Sequence, residues 1–140
     1  MKKNIYIVGV GLIGGSFGIE LRDIFNNSNI IGIDTSAQNL KIAKEKDIID
    51  SHAEINGITN PFMIIIAVPV KAIIKILPKI FEFILPETLV VDFGSTKLNI
   101  CKNIQTHKLR SNFLAAHPIA GNEFSGPDAA VKGLFTNKTM

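Results

Sequence analysis

The sequence predicts an α/β fold: a doubly wound, mostly parallel sheet with helices on both faces. Three observations carry that expectation. Short β-branched runs alternate with segments of helical periodicity along all 140 residues. The most apolar run, Phe62-Met-Ile-Ile-Ile-Ala-Val68, has no polar face, as befits a strand covered on both sides. The first run ends at Gly9 and passes through a glycine turn straight into a helical pattern.

Taken in order, Asn4–Gly9 reads as a strand, and Leu12–Phe25 as an amphipathic helix with Ile13, Phe17, Leu21 and Ile24 on one side. Asn26–Asn29 is a turn cluster, and Asn29–Asp34 a second buried strand. Thr35 or Ser36 can cap a helix over roughly Ala37–Lys46. Asp50–Glu54 is expected as a short edge strand and Asn56–Pro61 as a loop. After the Phe62–Val68 strand, Val70–Ile84 reads as helical, with Pro78 restarting or kinking it. Thr88–Phe93 is a strand, Gly94–Lys97 a turn, Leu98–Gln105 a helix and Phe113–His117 the last strand. Pro118–Pro127 is a polar loop, and Asp128–Lys132 a short helix. Residues 134–140 carry no stop signal, as though another element begins there.

Composition narrows the function classes. The length suits one domain able to bury its own core. No apolar run approaches the ~18–20 residues of a membrane helix. The N-terminus moves from two lysines into a strand pattern without a cleavage site, so no secretory signal is expected. The single cysteine, Cys101, excludes an internal disulfide and a cysteine-cluster metal site; it reads as a small helix-face hydrophobe. A reducing, cytoplasmic setting is the default. The net charge of +3 comes from scattered residues, and there is no Trp and one Tyr. Nucleic acid is therefore a poor partner, while an anionic small molecule suits the field. Lys41, Lys44 and Lys46 read as a solvated helix face.

Gly9-Val-Gly11-Leu12-Ile13-Gly14 is G-x-G-x-x-G, following a strand and opening a helix. In that context it is a Rossmann-type dinucleotide loop. Gly9 permits the tight turn, Gly11 lets the backbone approach a pyrophosphate, and Gly14 lets helix and strand pack closely. Leu12 and Ile13 offer N–H groups at the helix start. Asp34 lies 20 residues after Gly14, at the end of the second strand, where a carboxylate accepts from a ribose 2′-hydroxyl and repels a 2′-phosphate. No arginine follows it, which favours NAD over NADP. FAD competes but normally needs a larger protein. The structural alternative is a glycine turn with a helix-capping Asp.

Ligands of such sheets bind outside the strand carboxyl ends. Ala67-Val68-Pro69 would give the cofactor a flat apolar wall, or simply stop a strand. Ser95 can hydrogen-bond a substrate hydroxyl, or cap the following helix. His117 is held extended by Pro118 and can act as a base or acceptor. His52 and His107, in polar segments away from the strand ends, read as structural. Three dispersed histidines give no metal-ligand spacing, so no metal is expected.

His117-Pro-Ile-Ala-Gly-Asn-Glu-Phe-Ser-Gly126 resembles the H-P-[MI]-A-G-x-E-x-S-G signature of prephenate dehydrogenases. Asp92-Phe-Gly-Ser-Thr-Lys97 is similar to their D-x-x-S-x-K segment, and Gly9–Ser16 to their glycine loop. The resemblance implies NAD-dependent oxidative decarboxylation of prephenate to 4-hydroxyphenylpyruvate in tyrosine biosynthesis. It gives His117 the role of catalytic acceptor for the substrate hydroxyl, and Ser95 that of orienting the same hydroxyl and the nicotinamide. Asn122, Glu123 and Ser125 would lie in the loop lining the substrate pocket, with Glu123 gating it. Family members continue into a helical domain that dimerises, so residues 1–140 are expected to be the dinucleotide-binding part of a longer, homodimeric enzyme, poorly active alone. Three readings compete: arogenate or dual-substrate dehydrogenase, a hydroxyacid- or imine-type dehydrogenase, and an NAD-sensing domain without chemistry. The hydroxyacid and imine types usually rely on a catalytic lysine, which the His117-Pro118 segment fits poorly.

Overall fold

The computed structural model describes residues 1–140. The elements are β1 (Lys3–Val8), α1 (Leu12–Ile24), β2 (Ser28–Ile33), α2 (Ala37–Glu45), β3 (Ser51–His52), β4 (Pro61–Ile66), α3 (Val70–Ile80), β5 (Leu89–Asp92), α4 (Leu98–Asn103) and β6 (Phe113–Ala115). Single 3-10 turns cover Ile55–Gly57, Arg110–Asn112 and Pro127–Ala129. The sheet order is β3-β2-β1-β4-β5-β6, and every neighbouring pair is parallel. The chain winds outward from β1 to β3, then crosses back to β4 on the other side of β1. The boundary between β1 and β4 is thus the switch point, where such sheets open a crevice.

Strand alternation divides the core. Tyr6, Val8, Ile64 and Ile66 point toward Ile73, Leu77 and Ile80 of α3 and Ile100 of α4. Ile5, Ile7, Ile30 and Ile65 point toward Leu21 of α1 and Ala43 of α2. Both faces are covered, so the central strands have no polar side to show. Each fully buried isoleucine contributes on the order of 1.5–3 kcal/mol, and this term, rather than helix propensity, holds the short helices. No helix is long and apolar enough to cross a membrane.

Two polar clamps fix the periphery. Asp50 accepts from Ile30 N–H at 2.7 Å and from Arg22 Nη1 at 3.0 Å, joining the segment before β3 to β2 and α1. Burial works to raise its pKa, but the Ile30 N–H and the hydrogen bond and charge of Arg22 outweigh it and hold the carboxyl below its ordinary value. The second clamp ties the last residues to α1. Ser16, fully buried, accepts from Val131 N–H at 3.0 Å, Glu20 accepts from Gly133 N–H at 2.6 Å, and Asp23 pairs with Lys132. Residues 16, 20 and 23 share one helical face.

Several expectations need correction. The third helix ends at Ile80, not Ile84; Pro78 sits in its last turn, where it withholds an N–H from the Ile74 carbonyl, and the helix stops two residues later. The helix expected at Asp128–Lys132 is only the Pro127–Ala129 turn, because Gly126 enters it at φ +78° and the chain then extends along α1. His52 is not away from the strands: it ends the edge strand β3, exposed. His107 does serve the structure, with Nδ1 accepting from Leu109 N–H at 3.1 Å and its ring edge-on to Phe81. Ser36, not Thr35, caps α2, accepting from Asn39 N–H. Cys101 packs against the α3 side of the core, as expected. Lys41 reaches Glu45 and Lys46 reaches Asp128, consistent with a solvated face.

Candidate functional site

The glycine turn at the end of β1 is shaped by close approaches. Gly9 has φ +90°, and a Cβ there would stand 2.5 Å from the Ala67 carbonyl oxygen and 2.7 Å from Val68 Cγ1. Gly9 therefore serves the turn and also lets the β4 exit pack beside it, a second role that the sequence reading did not assign. A Cβ on Gly14 would stand 1.9 Å from the Gly9 oxygen, so helix α1 can leave the turn only with glycine here. Gly11 is different: a Cβ there meets nothing within 4 Å. No contact within the protein explains that glycine, whereas a pyrophosphate laid against the turn would. The first intrahelical bond runs from Gly15 N–H to the Gly11 carbonyl, and no side chain caps α1. The N–H groups of Leu12, Ile13 and Gly14 thus face outward at a 13-residue helix with no acidic residue in its first turn.

Asp34 follows β2. Its Oδ2 accepts from Val10 N–H at 3.0 Å and its Oδ1 from Ser36 N–H at 2.8 Å. It is not the cap of α2; that is Ser36. The carboxylate is half-buried and borders a cleft of about 600 Å³. The cleft runs from Asp34 and Thr35 to Val68 and Pro69, with Ile55 and Ile76 on its walls and Lys79 at its rim. An apolar slot ending on a carboxylate suits an adenosine, with the ring between the walls and the ribose at Asp34. Ala67 N–H is used by the Val8 carbonyl, and Pro69 both borders the cleft and begins α3. Ile55, Ile76 and Lys79 escaped the sequence reading, because nothing local in Ala53–Asn56 or mid-helix α3 signals that they converge.

The fit to a dinucleotide is therefore good at three points: open space at Gly11, free N–H groups at α1, and a slot bounded by Asp34 and Pro69. Held there, a nicotinamide dinucleotide would supply a hydride acceptor.

Ser95 and His117 leave adjacent strands. Asp92 of β5 and Ala115 of β6 are register partners, and Ala116 N–H donates to the Asp92 carbonyl at 3.0 Å. Ser95 lies three residues beyond β5 and His117 two beyond β6, both exposed at the carboxyl edge of the sheet. Pro118 behind His117 is buried, which fixes where the histidine leaves the sheet. The capping alternative for Ser95 is overturned: Lys97 occupies the cap position of α4, no side chain bonds there, and the Ser95 hydroxyl stays free. Asn122 Oδ1 accepts from Phe124 N–H at 2.9 Å, shaping its own loop, while Glu123 and Ser125 are exposed beside it. The structure thus brings Gly9, Asp34, Ala67, Ser95 and His117 to one edge, with Asn122–Ser125 on the loop after His117.

The family described as prephenate dehydrogenase, nucleotide-binding domain, matches residues 17–140. The chain belongs to the prephenate dehydrogenase nucleotide-binding domain family. The prephenate dehydrogenase of Bacillus subtilis (strain 168) is 36% identical over 141 residues, covering 98% of this chain and 38% of the relative. The crystal structure of Aquifex aeolicus prephenate dehydrogenase in complex with hydroxyphenyl propionate and NAD+ superposes with a TM-score of 0.88 at 30% identity, covering 99% of this chain and 49% of that one. Synechocystis arogenate dehydrogenase superposes with a TM-score of 0.84 at 29% identity, covering 96% and 48%. This nucleotide-binding domain thus spans about half or less of the proteins it matches.

Proposed function

We propose that residues 1–140 are the dinucleotide-binding half of an NAD-dependent prephenate dehydrogenase. The observation that carries this reading is the pairing of β5 with β6. Ser95 and His117 thereby follow neighbouring strands at the same sheet edge as the glycine turn. The reaction converts prephenate and NAD+ to 4-hydroxyphenylpyruvate, CO2 and NADH. Held by the glycine turn and Asp34, NAD would supply the acceptor for the hydride on the ring carbon that bears the hydroxyl.

His117 accepts the proton of that hydroxyl as the carbon–oxygen bond becomes a carbonyl. The C–COO⁻ bond then breaks, its electron pair passes through the ring to the new oxygen, and the ring becomes aromatic. The proton returns from His117 to the phenolic oxygen. Ser95 orients the hydroxyl toward His117, and the Asn122–Ser125 loop closes the substrate side. Because aromatisation drives the loss of CO2, the protein chiefly supplies position and a base. Gly9, Gly11, Leu12, Ile13 and Gly14 hold the pyrophosphate, Asp34 the ribose, and Ala67-Val68-Pro69 the apolar flank.

Arogenate is the second substrate reading, favoured by the likeness to the Synechocystis enzyme. No residue described above reads the amino or keto group that separates the two substrates. NADH formation by the native protein, followed with prephenate and with arogenate, tests the proposal. Turnover with prephenate supports it, and turnover with arogenate alone supports the second reading. NAD binding without turnover of either would favour a sensing domain.

A further inference from the structure

Asp92 ends β5 with its side chain wholly buried, in a strand whose other core positions, Val90 and Val91, are apolar. Its Oδ2 accepts from Lys97 Nζ at 2.6 Å and from Gly94 N–H at 3.0 Å. Its Oδ1 is buried without a protein partner. Such a group is a poor investment for stability, since desolvating a carboxylate consumes most of what its ion pair returns. What the pair does achieve is geometric. Gly94 and Lys97 flank Ser95 and Thr96, so one carboxylate oxygen gathers both ends of the turn. Gly94 has no room to shift: a Cβ there would lie 2.7 Å from Ile100 Cδ1 and 3.0 Å from Asp92 Oδ2. Lys97 also stands at the start of α4, so the pair joins that helix to the end of β5. Ser95 itself is exposed and its hydroxyl makes no hydrogen bond within the protein, so its own side chain does not fix its position.

We propose that Asp92 is a positioning residue, whose buried carboxylate, through Lys97 and Gly94, fixes the turn that presents Ser95 to the substrate. The inference rests on the reading of Ser95 given under Proposed function. Asp92 touches neither cofactor nor substrate and acts only through the turn.

The test uses the native protein with Asp92→Asn and Lys97→Met. Lys97→Arg serves as the charge-preserving rescue, and Lys102→Met, on the exposed side of α4, as the control. Two readouts are taken: steady-state turnover, and amide hydrogen exchange at Gly94–Lys97. A misplacement of about 1 Å costs roughly 100-fold in rate. The expected result is therefore a fall of that order in kcat for Asp92→Asn and Lys97→Met, with the Kd for NAD within about twofold and faster exchange confined to the turn. Lys97→Arg should recover most of the loss, and Lys102→Met should match wild type. Variants that keep full turnover overturn the proposal. So do variants that lose NAD affinity and exchange protection throughout the fold, which would make the pair a general structural element. Wild-type protein that forms no NADH from prephenate or arogenate overturns the functional reading and, with it, the catalytic purpose of the brace. An active wild type beside fully active variants overturns the brace alone.

Discussion

Asp34 accepts a hydrogen bond from Val10 N–H at 3.0 Å, so the carboxylate at the end of β2 also ties down the turn at the end of β1. The two halves of a dinucleotide site are thereby joined before any ligand arrives. Asp34→Ala should weaken NAD binding, because the ribose loses a charge-assisted bond of roughly 1.5–3 kcal/mol, a drop of about 10–100-fold. The bonds lost by Val10 N–H and Ser36 N–H should appear separately, as a lower Tm. Asp34→Asn, which keeps an acceptor, should fall between. Calorimetric titration with NAD reads this directly; equal affinity for wild type and Asp34→Ala would remove Asp34 from the site. In wild type, NADP should bind far more weakly than NAD, since the carboxylate repels a 2′-phosphate.

Gly11 and Gly14 should separate binding from folding. Gly14→Ala forces a methyl into the Gly9 carbonyl and should cost at least about 3 kcal/mol, seen as a large fall in Tm. Gly11→Ala meets open space, so its Tm should stay near wild type while NAD affinity drops. A Gly11→Ala variant that binds NAD normally would mean that no backbone approach occurs at that position.

His117→Asn should leave the fold intact, since the side chain is exposed and a surface change costs within about 0.5 kcal/mol. Turnover should fall by about 10²–10⁴, the usual contribution of a positioned base, with unchanged NAD affinity. Retained turnover would move the base elsewhere.

The expected architecture was readable where burial is strongest. The all-apolar stretch within β4 announces a central parallel strand, and the glycine spacing with Asp34 announces the turn and its partner. Less was readable where several distant segments meet. Ile55, Ile76 and Lys79 join one cleft only because the turn after β3 and helix α3 both border the end of β2. The Asp92–Lys97 pair was visible as letters of a motif, yet only burial shows it to be a brace. Ser95 reads as a candidate cap for the helix expected from Leu98, yet the helix starts there with Lys97 at the cap position and no side chain bonded to it. Asp128–Lys132 reads as a short helix because the sequence leaves its partner, the face of α1 that carries Ser16 and Glu20, unspecified.

Acid should expose the Asp50 clamp. Its carboxyl is held below the ordinary 3.8, so the folded state binds its proton less readily than the unfolded chain. The stabilisation is complete above that value and is lost as pH falls through the lower, folded-state pKa. Asp50→Asn should therefore cost about 1 kcal/mol near neutral pH, a figure discounted for an exposed pair, and progressively less as pH falls below 3.8. Urea unfolding of both proteins across that range checks the sign; a cost that grows on acidification would refute it.

The contact of Gly9 with the Ala67 carbonyl makes the glycine turn a product of long-range assembly. Strands β1 and β4 pair residue 4 with residue 61, so the turn acquires its shape only after that distant pairing closes. Local sequence alone cannot prefold it, and parallel pairings of this span form slowly. A dinucleotide that recognises the turn is then a ligand of the finished fold and not of its precursors. By mass action, NAD at 100 times its Kd would add about 2.7 kcal/mol to the folded state. Cofactor supply would thereby set how long newly made chains survive as well as how fast they work.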